Sequence, residues 1–115
     1  MNQVEEFNAY RSKMNARILE DNNKIIKRIF NLDTNAFTDG ALPKKTKEIL
    51  GLGNSLVLRC DDCVKYHLEA CSQLNVTTEE LVEAMSVSLL VGGTIMIPHL
   101  RRAYEYWDEL QELKK

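Results

Sequence analysis

Cys60 and Cys63 form a CxxC pair, His67 follows four residues after the second cysteine, and Glu48 stands in the apolar segment just upstream. Two cysteines at this spacing can close a disulfide and reopen it. A histidine one helical turn beyond Cys63 can take its proton. A carboxylate that returns to it in space can carry that proton onward. Together these are the parts of a thiol redox centre.

On a helix, Cys60, Cys63, His67 and Cys71 project within about 80° of one another. Cys63 and His67 are neighbours at i and i+4, whereas Cys60 is two turns away, so the histidine is placed to activate Cys63. A helix N-terminus and an imidazolium both lower a thiol pKa, while Asp61 and Asp62 oppose them and Arg59 offsets part of that opposition. Glu48, Leu52, Ser55 and Arg59 share one helical face by spacing. If that face meets the cysteine helix, Glu48 can draw the proton from Cys63 directly or through water and His67. A carboxylate raised in pKa by burial would suit that task.

A metal site fits these residues less well. Cys60 and Cys71 would lie ~16 Å apart along a helix, too far to share one ion. Cys60, Cys63 and His67 could close on a metal only through a distorted first turn, and no fourth ligand is evident. Haem attachment needs a histidine directly after the second cysteine, where Val64 stands. Cys71 reads as a small buried core residue. His99, after Pro98, is read as structural, with lining of the site as the alternative. Tyr104, Tyr106 and Trp107 read as packing or interface residues.

The elements that position these groups are helical. With 115 residues the chain is long enough for one domain and for a core without disulfide staples. A formal net charge of −2 and short cationic clusters, Lys44-Lys45-Thr46-Lys47 and Arg101-Arg102, disfavour nucleic acid as a partner. The polar, acidic start Met1 to Glu6 lacks a secretory signal, and the stretch Ala84 to Ile97 is shorter than the ~20 residues of a spanning helix. These features point to a cytoplasmic protein with no membrane partner. Three cysteines do not make a structural disulfide framework.

Phe7, Tyr10, Met14 and Ile18 repeat at helical spacing, and Asp21-Asn22-Asn23 marks a break. Ile25, Ile26, Ile29 and Phe30 continue as a second amphipathic piece. Residues 31–42 carry turn chemistry and are read as a loop. Pro43 is placed like a first-turn residue of a helix over 44–58, in which Gly51 and Gly53 are tolerable if another backbone approaches closely. A helix from Asp61 to about Leu74 follows. Thr77 and Glu80 make a capping box for the next helix, Leu81 to Val91. Beyond Gly92-Gly93 a last helix carries Leu100, Ala103, Tyr104, Trp107 and Leu110. The segment Ala84–Ile97 reads as a buried helix and a turn. Two helices are apolar nearly all round, more than so short a chain can bury alone, which argues for burial between subunits.

The spacing from Glu48 through Cys60 and Cys63 to His67 resembles the motif of the alkylhydroperoxidase-D-like branch of the carboxymuconolactone decarboxylase family. The likeness extends over Thr46–Ala103, including Gly92-Gly93 and Ile97-Pro98-His99-Leu100-Arg101-Arg102-Ala103. The stretch Ile29-Phe30-Asn31-Leu32-Asp33 resembles the N-terminal extension of a small single-domain subgroup. The resemblance implies one all-α, alkylhydroperoxidase-D-like helical domain over 1–115, with 1–42 as extension and loop and 43–115 as core, assembled into trimers or hexamers. It implies hydroperoxide reduction without a bound cofactor. Cys63 would attack the peroxide, and Cys60, the more exposed, would close the redox disulfide and meet the reductant. Glu48 and His67 would relay the proton, and a lipoyl-bearing or thioredoxin-like dithiol would supply electrons.

One departure stands out. The best-known members have a histidine just before the second cysteine, where this chain has Asp62. An anion in that place is expected to weaken peroxidatic chemistry or direct it at a different substrate, and keeps disulfide exchange or redox sensing as the alternative function. A thiol-ligated metal module ranks below both for want of a fourth ligand, and lactone decarboxylation because the family's decarboxylases lack the cysteine pair.

Overall fold

The computed structural model describes residues 2–115. Six α-helices run through them: α1 (Gln3–Glu20), α2 (Lys24–Ala36), α3 (Lys44–Val57), α4 (Asp61–Gln73), α5 (Thr78–Gly92) and α6 (Ile97–Leu113). A one-turn 3-10 helix, Thr94–Met96, sits between α5 and α6. Among the described residues there is no strand, and the fold is all-α.

α4 is the centre of the arrangement. It packs against α3 on one side and α6 on the other, while α5 lies on α3 and α1 lies on α6. The core interleaves Leu52 and Leu56 of α3, Val64, Leu68 and Cys71 of α4, Leu81 and Met85 of α5, and Ala103, Tyr106, Trp107 and Leu110 of α6. Each set recurs at three- and four-residue spacing, so each helix turns one stripe inward. The Trp107 indole donates to Thr78 Oγ1 (3.0 Å), which satisfies the polar edge of a buried ring. Thr77 and Glu80 form the capping box that starts α5.

Several boundaries differ from the sequence reading. α2 continues through residues 31–36, where Leu32 extends its apolar stripe and the Thr34 hydroxyl donates to Phe30 O (3.1 Å) within the helix. The loop is therefore only 37–43. Pro43 caps α3 from just outside the first turn. The amide that follows it, on Lys44, donates to Asp39 Oδ1 (2.7 Å). The segment 84–97 is buried on one side only in the single chain: Met85, Ser88 and Met96 face inward, while Val87, Leu90, Val91 and Ile95 are exposed. α2 buries none of its residues, and Ile25, Ile29 and Leu32 are exposed. No helix among the described residues is long and apolar enough to cross a membrane.

The corner between α3 and α4 decides where the cysteines stand. α3 ends in a Schellman motif: Arg59 N–H donates to Leu56 O (3.0 Å) and Cys60 N–H to Ser55 O (3.0 Å). Arg59 occupies the left-handed region at φ 60°. It therefore leaves the helix and does not share the Glu48 face as its spacing implied. A residue with a Cβ pays for this conformation by about 1–2 kcal/mol. Arg59→Gly is accordingly expected to stabilise the fold by about 1 kcal/mol, read as a higher thermal midpoint. A lower midpoint would mean that the arginine side chain holds the corner.

Candidate functional site

Cys60 is the N-cap of α4, and its sulfur accepts a hydrogen bond from Cys63 N–H (3.2 Å). The two cysteines are joined as a disulfide, with their Cα atoms 5.3 Å apart. The first turn of α4 thus holds both sulfurs where the helix dipole favours negative charge. Cys63 is exposed and lines a cavity of about 300 Å3 with Phe7, Arg11, Asp33, Asp62, Tyr66 and His67. Cys60 is half-buried in the α3–α4 corner. The order of exposure in the single chain is therefore the reverse of the one the resemblance implied, because the Schellman turn tucks the N-cap residue inward.

His67 and Glu48 meet across the α3–α4 interface. Nδ1 of His67 lies 2.8 Å from Oε2 of Glu48, and Glu48 is 0% exposed. The other carboxylate oxygen accepts from Lys44 Nζ at 3.3 Å. A buried carboxylate needs such partners. With Nδ1–H donated to Glu48, Nε2 is left as the basic nitrogen of the ring. Glu48 therefore acts on the cavity through His67 and has no exposed surface of its own. Phe37 packs against the imidazole with ring centroids 5.2 Å apart, and Tyr66 meets it edge-on at 5.2 Å.

The ring fits because residue 51 is glycine. A Cβ there would lie 2.6 Å from His67 Cε1 and 2.9 Å from each ring nitrogen. A Cβ at Gly53 would lie 2.7 Å from the Ser88 hydroxyl. Both glycines admit side chains, not the backbone that the sequence reading anticipated.

Asp61 and Asp62 differ in their surroundings. His99 Nδ1 lies 2.8 Å from Asp61 Oδ1, and Arg102 Nε donates to Oδ2 at 2.9 Å. Partial burial pushes the Asp61 carboxyl up, but the His99 hydrogen bond and the Arg102 charge outweigh it and hold the group below its ordinary value. His99 thus ties the start of α6 to the start of α4. Asp62 remains exposed beside Cys63 and lines the cavity. Cys71 is fully buried in the core, away from the cavity. Burial, and then the Glu48 charge, push its thiol up to about 12, with Lys45 pulling the other way. Among the described residues no three His, Cys, Asp or Glu side chains are placed to share a metal ion.

The sequence does not single out Arg11, Phe37 and Tyr66, and it shows Lys44 and Arg102 only as parts of short cationic clusters. Of these only Lys44 left a local signal, since it stands four residues before Glu48 with opposite charge.

The sequence profile of the carboxymuconolactone decarboxylase family matches residues 24–106. An uncharacterised protein of Cupriavidus necator is 31% identical over 75 residues, covering 65% of this chain and 66% of that protein. Uncharacterised protein 4 in the cox locus of Paracoccus denitrificans is 28% identical over 74 residues, covering 64% and 67%. The chain thus spans about two thirds of these curated relatives. A crystal structure from Thermotoga maritima superposes with a TM-score of 0.91 at 45% identity, covering 95% of this chain and 92% of that one. It is described as a carboxymuconolactone decarboxylase family protein with a possible part in antioxidative response. A Legionella pneumophila protein of the same family shares the fold at 24% identity, with a TM-score of 0.86 over 96% of this chain and 98% of that one.

Two outcomes are expected from this geometry. Gly51→Ala must displace the imidazole and break its contact with Glu48. That costs about 1–2 kcal/mol net of alanine's helical advantage, checked by denaturant midpoint and by the His67 ring resonances. In native, reduced protein, alkylation at pH 8 labels Cys60 and Cys63 and spares Cys71, whose thiolate forms only as pH approaches about 12. Mass mapping of the modified peptides reads this directly.

Proposed function

The chain belongs to the carboxymuconolactone decarboxylase family, and from that premise we propose that it is a thiol-dependent hydroperoxide reductase of the alkylhydroperoxidase-D-like branch. The observation that carries the reading is a Cys60–Cys63 disulfide and a Glu48-bound His67 on the same two turns of α4, with Cys63 and His67 opening into one cavity. In the reduced protein, His67 Nε2 takes the Cys63 proton while Glu48 holds the ring and stabilises the imidazolium. The Cys63 thiolate attacks the distal oxygen of the hydroperoxide. It becomes a sulfenic acid, and the alcohol leaves with the relayed proton. Cys60 then displaces hydroxide from that sulfur, closing the disulfide and releasing water after protonation. An external thiol reductant restores both cysteines.

The apolar face shared by α3 and α5 belongs to the same reading. Leu50, Val87 and Val91 are exposed there around a groove of about 320 Å3. A second copy covering this face would build the trimer or hexamer expected of the branch. Asp62 favours one rival, a disulfide-exchange protein of the same fold, because an exposed carboxylate beside Cys63 raises the cost of its thiolate.

Stopped-flow oxidation of the reduced protein by hydrogen peroxide and by cumene hydroperoxide separates the two readings. The reductase reading expects fast loss of two thiols and a product lighter by the mass of two hydrogens. Cys63→Ser removes the fast phase. Glu48→Gln slows it by about tenfold to a hundredfold, as loss of an oriented base does. Oxidation no faster than that of a free thiol would assign the protein to disulfide exchange.

A further inference from the structure

The cavity beside Cys63 carries charges that the peroxidatic step does not use. Arg11 of α1 is half-buried there, with its guanidinium 4.6 Å from the Tyr66 ring centroid and 5.7 Å from that of Phe7. Two aromatic faces hold it in place. It forms no ion pair among the described residues. Asp33 of α2 and Asp62 of α4 line the same cavity, and neither of them forms an ion pair among those residues. A cation and two carboxylates thus line one space together with Cys63, the more exposed half of the disulfide. Charges left unpaired by the protein around a small cavity fit a ligand that brings both signs itself.

We propose that this cavity is the reductant subsite, and that it takes a small α-amino-acid thiol, with the carboxylate on Arg11 and the ammonium on Asp62 and Asp33. The inference rests on the redox reading of the disulfide and narrows it. The bound thiolate attacks Cys63 Sγ, forms a mixed disulfide and expels Cys60 Sγ as a thiolate. That leaving sulfur is the one at the N-cap of α4, where the helix end stabilises negative charge. A second thiol molecule attacks the ligand sulfur of the mixed disulfide and releases Cys63 as a thiolate. Two thiols are oxidised to one small disulfide, two electrons pass to the cysteine pair, and the two thiol protons end on Cys60 and Cys63. A protein dithiol that reached Cys63 from the surface would have no use for the charges inside the cavity.

The test is the rate at which the oxidised protein is reduced by cysteine, cysteamine, 3-mercaptopropionate and 2-mercaptoethanol, each expressed per thiolate and corrected for thiol basicity. Cysteine is expected to lead both singly charged thiols by about fivefold or more, the size of one charge-assisted contact at a half-exposed site. Arg11→Gln lowers the ratio of cysteine to cysteamine, and Asp62→Asn lowers the ratio of cysteine to 3-mercaptopropionate. Ratios cancel any general change in the folding or reactivity of a variant. Equal rates for the four thiols, rates that simply follow net charge, or ratios unmoved by either substitution would overturn the subsite. A disulfide that neither these thiols nor dithiothreitol can open would overturn the redox reading itself.

Discussion

Glu48 is a carboxylate placed where water does not reach it, and much of the site follows from keeping it there. An ionised carboxylate in a protein interior is tolerated only when its oxygens are taken by donors. One oxygen is taken by Lys44, a turn earlier on the same helix, and the other by His67, on the next. The second contact crosses the α3–α4 interface, so those helices must approach until an imidazole fits between them. That approach requires the missing side chain at Gly51. The hydrogen bond, the glycine and the packing of Leu52 and Leu56 against Leu68 are one constraint expressed three ways. Its chemical consequence is a fixed tautomer, since a ring that gives Nδ1–H to a carboxylate keeps Nε2 basic.

The cysteines are placed by backbone rather than by side-chain packing. The left-handed Arg59 reverses the chain in one residue, satisfies the last carbonyls of α3 and delivers Cys60 as the cap of α4. Both sulfurs therefore sit on the first turn, above the stripe that carries His67. Asp61 and Asp62 sit in the same turn but play different parts. Asp61 is spent on His99 and Arg102, which dock α6 to the start of α4. Asp62 keeps its charge free beside the disulfide. The N-terminal helices complete the enclosure. Phe7 and Arg11 of α1, with Asp33 of α2, wall the cavity, and Phe37 lies on the histidine. Lys44 and Lys47 donate to the carbonyls of Phe37 and Thr38 at 3.3 and 2.7 Å, which ties this loop to α3.

Much of this was legible in the residues alone. Helical spacing located every helix. The capping box announced α5, and the i, i+4 relation of Cys63 and His67 marked α4 as the helix that carries the candidate site. The four-residue motif and the family likeness rest on order and spacing, which survive without coordinates. Local signals were weaker at the ends of elements. The polar sequence after Phe30 reads as a loop because Asn, Asp and Thr favour turns, yet α2 runs on to Ala36 with Leu32 continuing its stripe and Thr34 turned back onto the Phe30 carbonyl. Arg59 was assigned to a helical face because spacing assumes that the helix continues, and a left-handed stop leaves no mark when the residue is not glycine.

What the sequence determined by itself was the set of helices, the CxxC pair and the candidates for proton transfer, because periodicity and covalent spacing are properties of one element at a time. Only the tertiary structure decided which partners those groups acquired. Glu48 could have faced solvent; the α3–α4 packing buries it on His67. His99 could have lined the cavity; it holds Asp61 instead. Arg11 lies far from the cysteines along the chain, and nothing in its neighbours suggested that Tyr66 and Phe7 would stack on it at the edge of the disulfide. Contacts between distant segments depend on how helices cross and on which small residues let them approach, and no pattern within a single segment encodes that.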